Sequence, residues 1–331
     1  NIFSFLRRRK PIPEPWAKYY TKEELNIKIP DISMYDQVKK SAHLYPNYIA
    51  YEYMGKKCLY KDFIEEINEW AKVFHSSGVK HGDIVTISLP NIPNVLVVLY
   101  ALNKMGAIAN MVHPLSSEEE ILFSLNSTKS KYLVMLNTFY NKIENVIGKS
   151  NVDAVIFASA ADYMPIYMKL FYNLSQIGKY KKYPKNNMYY SWKKFYKKYY
   201  VTNHIKFPKF CKDTPAVIIH SGGTSGTPKN VVIQNRAFIL GALQENILMK
   251  NLHAGDCCLA IMPNFHGFGL SVLMHTPLAL GCYSILIPQF DAKKFDIMFQ
   301  KKKPSCVLGV PTLYEALISN NNVKKLDLSN L

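Results

Sequence analysis

The residues best suited to chemistry are concentrated in one stretch, Ser221-Gly222-Gly223-Thr224-Ser225-Gly226-Thr227-Pro228-Lys229. Three glycines and four hydroxyl side chains in seven consecutive positions suit a tight loop whose backbone N–H groups and hydroxyls converge on an oxyanion. Lys229 adds a positive charge for a terminal phosphate. A Walker A loop is a poor match, because Lys229 comes three residues after Gly226 and is followed by Asn230, and the G-x-G-x-x-G spacing of kinase loops is absent. We therefore predict a phosphate-binding loop of another kind.

A second candidate element follows an apolar run about forty residues later, Pro263-Asn264-Phe265-His266-Gly267-Phe268-Gly269. A histidine placed after a strand is more often structural than functional. A functional interpretation of His266 therefore depends on its spacing of about forty residues from the first element. The cysteines argue against a metal centre, since no two of them have C-x-x-C spacing and none is paired with histidines. We expect reduced thiols at Cys58, Cys211, Cys257, Cys258, Cys282 and Cys306.

The elements that must position these residues alternate between strand and helix from about residue 31. Apolar residues from Phe63 to Phe74 recur at helical spacing, residues 93–106 and 235–252 also predict helices, and Ser117 opens a capping box. Buried strands are predicted over 84–90, 107–112, 131–136, 153–158, 214–220, 229–234, 257–263, 282–288 and 305–311. This repeated β-α-β pattern predicts an α/β fold with mostly parallel sheets covered by helices.

Composition sets wider limits on the class of protein. The 331 residues are 48% hydrophobic, which excludes a disordered chain, and the formal net charge of +17 favours anionic partners. The run from Phe268 to Ile287 has no charge and is long enough to span a membrane. His275, Pro277 and Gly281 interrupt it, so we predict a buried helix followed by a buried strand, and no transmembrane segment.

Residues 178–200 break the alternating pattern, because they are rich in lysine and tyrosine and poor in small apolar residues. Such a segment can hold a nucleic acid or lie on a membrane. We favour a surface helix and loop whose long side chains cover apolar surface, since no nucleic-acid-binding motif accompanies it.

The sequence HSGGTSGTPKN resembles the phosphate-binding signature of the adenylate-forming enzymes, [ST]-[SG]-G-[ST]-[ST]-G-x-P-K-G. Every position matches except the last, where Asn230 replaces glycine. Residues 263–269 resemble the P-x-x-H-x-x-G element of the same family, and Val310-Pro311-Thr312 resembles its later turn. Residues 48–63 and 78–114 are similar to its early motifs, so the resemblance covers the chain from about residue 15.

The resemblance implies a two-step ligase, in which ATP and a carboxylate give an acyl-adenylate and pyrophosphate before a thiol, usually of CoA, takes the acyl group. It is closest to the acyl-CoA synthetases and implies a fatty acid, ATP, Mg²⁺ and CoA as ligands, with no metal ligand assigned within the chain. Binding of the ATP phosphates is implied for Ser221, Gly222, Gly223, Thr224, Ser225, Gly226, Thr227 and Lys229. Phe265, His266 and Gly269 would line the acyl pocket, with no covalent intermediate on His266.

The resemblance also implies a domain organisation. Residues 1–30 would be an N-terminal extension and 31–331 an incomplete AMP-binding N-terminal domain, cut before its last sheet elements. The adenine-binding motif and the C-terminal domain with the catalytic lysine would lie beyond residue 331, so we expect the chain alone to be inactive. A carrier-loading adenylation domain and a truncated non-catalytic module remain alternatives, with a nucleic-acid-binding protein the most distant. We expect a cytoplasmic protein with possible peripheral membrane contact.

Overall fold

The computed structural model describes residues 14–221 and 229–331. Two β-sheets hold its strands, which are β1 (Ile49–Tyr53), β2 (Lys56–Leu59), β3 (Ile84–Ser88), β4 (Ile108–Met111), β5 (Tyr132–Leu136), β6 (Ala154–Ala158), β7 (Tyr189–Ser191), β8 (Pro215–Ser221), β9 (Lys229–Gln234), β10 (Cys257–Ala260) and β11 (Tyr283–Leu286). The α-helices are α1 (Lys22–Leu25), α2 (Met34–Leu44), α3 (Tyr60–Ser76), α4 (Pro93–Lys104), α5 (Glu118–Thr128), α6 (Ile166–Ser175), α7 (Trp192–Tyr199), α8 (Asn235–Leu248), α9 (Gly267–Leu270), α10 (Thr276–Ala279), α11 (Phe295–Lys302) and α12 (Pro311–Ile318).

The larger sheet has seven strands in the order β7-β6-β5-β3-β4-β8-β9. Every neighbouring pair is parallel except β8 and β9, which form an antiparallel hairpin at one edge. The central strands are buried on both faces, as the apolar runs at residues 84–90 and 131–136 predict. Since parallel strands end at the same edge, the segments that follow β4 and β8 become neighbours there. The predicted parallel α/β sheet is confirmed.

A smaller sheet has the strand order β10-β11-β1-β2. The sequence pattern did not distinguish these strands from those of the larger sheet. The predicted strand over 305–311 is wrong for most of its length. Only Cys306 pairs, in an isolated bridge with Cys258 of β10, and the chain enters α12 at Pro311. Apart from this bridge, the predicted strand does not extend the smaller sheet.

The interior is formed mainly by helices that lie between or against the sheets. In α4 every residue from Pro93 to Asn103 is buried, and the helix packs against α3. The capping box predicted at Ser117 is confirmed, because its hydroxyl accepts from the backbone of Glu120 and the Glu120 carboxylate accepts in return. Helix α4 also contacts the interior strand β4, so it joins the larger sheet to the core.

The uncharged run from Phe268 to Ile287 folds as predicted into a buried helical segment and a strand. Helix α9 continues through a π-helical turn at Ser271–His275 into α10, and the chain then reverses at Gly281, where φ is +79°, to enter β11. Within residues 14–221 and 229–331, no helix has the length and apolar character needed to cross a membrane.

The lysine- and tyrosine-rich segment adds an edge strand, β7, as well as the predicted surface helix, α7. Trp192 stacks on Trp70 of α3 with ring centroids 3.7 Å apart, and Phe195 is fully buried. The helix lysines are exposed at Lys193, Lys194, Lys197 and Lys198. The aromatic residues of α7 therefore pack inward, and its charges face solvent.

Candidate functional site

The two ends of the predicted phosphate-binding loop lie opposite each other at the edge of the larger sheet. Ser221 is the last residue of β8, Lys229 is the first of β9, and the two are paired across the hairpin. Gly222, Gly223, Thr224, Ser225, Gly226 and Thr227 lie outside the described residues. The fold thus places the serine and the lysine of the signature at one point of the carboxyl edge.

A cavity of about 200 Å³ opens beside Ser221, at the carboxyl ends of β4 and β8. Its wall includes Phe265 and His266 of the second predicted element, and His113, which follows β4. Apolar side chains from two segments complete much of the lining, Met111 and Val112 at the end of β4 and Phe123 in α5. The structure therefore brings Ser221, the first residue of the phosphate-binding stretch, and part of the Pro263–Gly269 element to the same cavity.

Gly269 is not among the residues that line this cavity. It is buried in α9, where a Cβ atom would collide with the backbone carbonyl of Pro263. Its missing side chain lets the chain fold back tightly after His266. The role of Gly269 in an acyl pocket stays a prediction.

His113 was not identified from the sequence, although it contributes an aromatic wall of the cavity. Its ring centroid lies 4.2 Å from that of Phe265, and the Phe265 ring lies 4.9 Å from His266. The backbone N–H of Leu115 donates to His113 Nδ1 at 2.8 Å, so the ring proton of the neutral form is on Nε2. Burial, and then the nearby His266, lower the pKa of His113, which favours this neutral form.

His220, the residue before Ser221, lies in a polar network that sequence reasoning also missed. Its Nε2 is 2.7 Å from Asn110 Oδ1 and 3.1 Å from Ser124 Oγ. Asn110 donates through Nδ2 to Thr86 at 2.8 Å and to Ser124 at 2.9 Å, so its Oδ1 is oriented to accept from His220. Burial lowers the pKa of His220. The signal available in the sequence was its position at the end of a parallel strand, where ligand-binding groups collect.

Asn230, the one departure from the family signature, has a specific partner. Its Nδ2 donates to Ser127 Oγ at 3.0 Å and connects β9 to α5. The residue is in the extended ladder opposite His220 and is not among the described residues with positive φ. This position therefore does not need the backbone freedom of glycine.

The loop that carries His266 is held from the other sheet by Asn91, which follows β3. Asn91 Nδ2 donates to the carbonyls of Ala260 and Met262, both at 2.9 Å. Its Oδ1 accepts from the backbone N–H of Asn264 at 3.1 Å. Both asparagines are buried, so these bonds determine where the loop lies relative to the cavity.

The chemistry available to the site is ligand positioning and charge stabilisation. The largely apolar cavity adjoins Ser221, which pairs with Lys229, so an organic group and a phosphate can lie side by side. Among the residues of the described ranges, no group of three or more His, Cys, Asp or Glu is arranged to hold a metal ion.

The AMP-binding enzyme family model matches residues 38–331. A long-chain-fatty-acid–CoA ligase of Bacillus subtilis is 27% identical over 325 residues, which are 96% of this chain and 57% of the relative. A 4-coumarate–CoA ligase of Arabidopsis thaliana is 23% identical over 289 residues, 84% of this chain and 46% of the relative. The chain thus spans about half the length of these relatives.

Solved structures show the same fold. A long-chain-fatty-acid–CoA ligase of Archaeoglobus fulgidus superposes with a TM-score of 0.74 at 18% identity, covering 92% of this chain and 57% of the other. An inhibitor-bound N-terminal domain of FACL13 from Mycobacterium tuberculosis superposes with a TM-score of 0.68 at 18% identity, covering 91% and 68%. At this identity the similarity concerns the fold alone.

Proposed function

The chain belongs to the AMP-binding enzyme family, and from that premise we propose that it is the N-terminal part of an ATP-dependent carboxylate–CoA ligase that acts on a fatty acid. The observation that carries the proposal is the cavity shared by Ser221 and His266. Two elements that the sequence predicts to bind different groups, one a phosphate and the other an acyl group, both reach this cavity. The long-chain-fatty-acid–CoA ligases among its relatives support the fatty acid as substrate.

In the proposed reaction the carboxylate attacks the α-phosphorus of ATP, and pyrophosphate leaves with a growing negative charge. Lys229, with the hydroxyls and backbone amides of residues 221–227, would stabilise that charge. The acyl chain would lie against Phe265 and His266, on the apolar side of the cavity. His113 and His220 have lowered pKa values and would act as neutral hydrogen-bonding groups rather than as phosphate-binding cations.

Two ligands are proposed from the family rather than from a protein site. Mg²⁺ would enter bound to the ATP phosphates, since hard divalent cations prefer phosphate and carboxylate oxygens. CoA is proposed as the thiol acceptor because the relatives are CoA ligases, which favours it over a carrier protein.

The proposed organisation assigns residues 31–331 to the AMP-binding domain and 1–30 to an N-terminal extension. The catalytic lysine of the family would be supplied by sequence that the relatives have outside the matched half. Six free cysteines suit a reducing, cytoplasmic compartment, which is the location we propose. A fatty acid partitions into membranes, so peripheral contact with a membrane fits the same function.

Ligand binding to the 331-residue chain tests this proposal, since the structurally similar FACL13 N-terminal domain holds an inhibitor. We expect a fatty-acyl sulfamoyl adenosine, a stable mimic of the acyl-adenylate, to bind more tightly than AMP. Lys229→Ala should weaken ATP binding about 10- to 100-fold, equivalent to the loss of a charge-assisted hydrogen bond.

Lys324→Ala provides the matched control, because this exposed lysine lies in the segment after α12 and is not among the residues that line the cavity beside Ser221. Equal binding of the acyl mimic and AMP would contradict the acyl site. Unchanged ATP binding by Lys229→Ala would contradict the phosphate site.

A further inference from the structure

Helix α6 exposes an apolar face that the proposed ligase site does not use. None of its ten residues is buried. Ile166 is 89% exposed, Phe171 is 70% exposed and Leu170 is 61% exposed, and Tyr167, Leu174 and the following Ile177 are exposed as well. Several large apolar side chains grouped on one surface usually mark an interaction site.

The helical repeat explains how this face is presented. Ile166, Leu170 and Leu174 are four residues apart and form one row, with Tyr167 and Phe171 in the row beside it. Met168 and Tyr172 lie on the other side and pack against the core. The protein therefore holds α6 by these two side chains and presents its more apolar face outward, the reverse of an ordinary surface helix.

The chain segment that contains and follows α6 is strongly basic. Residues 165–200 contain no Asp or Glu and nine lysines, at positions 169, 179, 181, 182, 185, 193, 194, 197 and 198. Of these, Lys181 alone forms an ion pair among the described residues, with Glu144. About half of the formal net charge of +17 thus lies in the 36-residue stretch that contains this exposed apolar helix.

We propose that α6 and its lysines bind an anionic lipid membrane, with the helix lying in the interface and its apolar face among the acyl chains. Aliphatic and aromatic side chains beside clustered lysines are the combination that such surfaces recognise. A second copy of the chain would bring nine further lysines against the first nine, which opposes self-association. A nucleic acid would pair with the lysines but leave Leu170 and Phe171 in water.

The position of α6 in the fold suits this role. Seven residues separate α6 from the carboxyl end of β6, and the cavity lies at the carboxyl ends of β4 and β8, so the connection to α6 starts from the sheet edge that carries the cavity. A membrane bound at α6 would therefore face the edge that carries the cavity. Delivery of a fatty acid from the membrane to this cavity would rest on the proposed function, whereas the lipid contact itself does not.

Flotation of the 331-residue chain with vesicles tests the proposal. We expect it to bind phosphatidylcholine vesicles that contain phosphatidylserine, to bind pure phosphatidylcholine much less, and to dissociate as salt is raised. Leu170→Glu with Phe171→Glu should weaken binding about tenfold or more, because two charges would enter the acyl region. Ile297→Glu with Ile318→Glu is the matched control, since these side chains are 63% and 66% exposed on other helices.

A second variant separates charge from apolar contact. Lys179→Gln, Lys182→Gln and Lys185→Gln together should weaken binding and reduce its salt dependence, whereas the same change at Lys293, Lys324 and Lys325 should have a smaller effect. ATP binding by all these variants should match the parent chain, which distinguishes this proposal from the ligase assignment.

Three results would overturn the proposal. The first is vesicle binding that the Leu170/Phe171 variant leaves unchanged. The second is a dimer in size-exclusion chromatography that this variant dissociates, without vesicle binding by the parent, which would assign α6 to a second copy. The third is binding to polyuridylate with none to vesicles, which would assign the lysines to nucleic acid.

Discussion

Asn91 and Asn264 form the contact that joins the larger sheet to the loop carrying His266. Asn91 Oδ1 accepts from the backbone N–H of Asn264 at 3.1 Å and from its side-chain amide at 3.0 Å. Asn264 also donates to the carbonyl of Leu89 at 2.9 Å. The residue after one parallel strand thus positions a loop from the other sheet, and this connection defines the wall of the cavity.

We predict that Asn91→Ala lowers the free energy of unfolding by about 2–4 kcal/mol, because it leaves several buried polar groups without partners. Urea denaturation of the two chains would measure the difference. Asn126→Ala is the control, since its exposed side chain makes one bond to the Lys149 carbonyl, and we expect a loss below about 1 kcal/mol. Equal losses in both variants would show that Asn91 does not hold this loop.

We predict that Phe265→Ala and His266→Ala change binding of an acyl-adenylate mimic more than binding of ATP. Both side chains line the cavity, whereas Lys229 lies at the phosphate-binding stretch. Removing the Phe265 ring should weaken binding of the acyl mimic about tenfold, in line with loss of apolar contact area. A selective loss of ATP binding, with the acyl mimic unaffected, would reverse the two roles.

Asn230→Gly restores the residue of the family signature, and we predict that it leaves ATP affinity within about twofold. The Asn230 backbone is extended in β9, so glycine relieves no strain there. The variant should lose about 1 kcal/mol of stability, through its bond to Ser127 and the flexibility of glycine in a strand. In a double-mutant cycle, Ser127→Ala should reduce this loss, and a tighter ATP complex would show that Asn230 restricts the loop.

The parallel sheet could be predicted because its strands are short runs of Val, Ile and Leu between turn residues, as at Ile84–Ser88. The second sheet could not, since β1 pairs in parallel with β11, more than two hundred residues away, and no local pattern records that pairing. The same distinction applies to the residues of the candidate site. Ser221, Lys229 and His266 were identified by residue type, whereas His113 joins them only through the pairing of β4 with β8.

Glu66 gives the protein a specific pH dependence of stability. It lies in α3 beside a cavity lined by Tyr51, Lys56 and Tyr163, and burial raises its pKa to about 7 even though Tyr163 donates to it. Since the unfolded carboxyl titrates near 4.5, the folded chain binds more protons between these values. Glu66 therefore lowers stability progressively as pH rises from about 4.5 to about 7, and its effect is constant above that.

We predict that Glu66→Gln, which keeps a hydrogen-bonding partner for Tyr163, is about 1–3 kcal/mol more stable than the parent chain at pH 8. The difference should shrink as pH falls and approach zero below about 4.5, where the parent carboxyl becomes protonated in both states. Urea denaturation across this range gives the comparison, and the difference between the two chains cancels other titrating groups such as His275, whose pKa burial lowers to about 3. Glu65→Gln is the matched control, because this neighbouring side chain is exposed and should leave the profile unchanged. A gain from Glu66→Gln that stays constant with pH would show that the residue destabilises the fold by packing rather than by its charge.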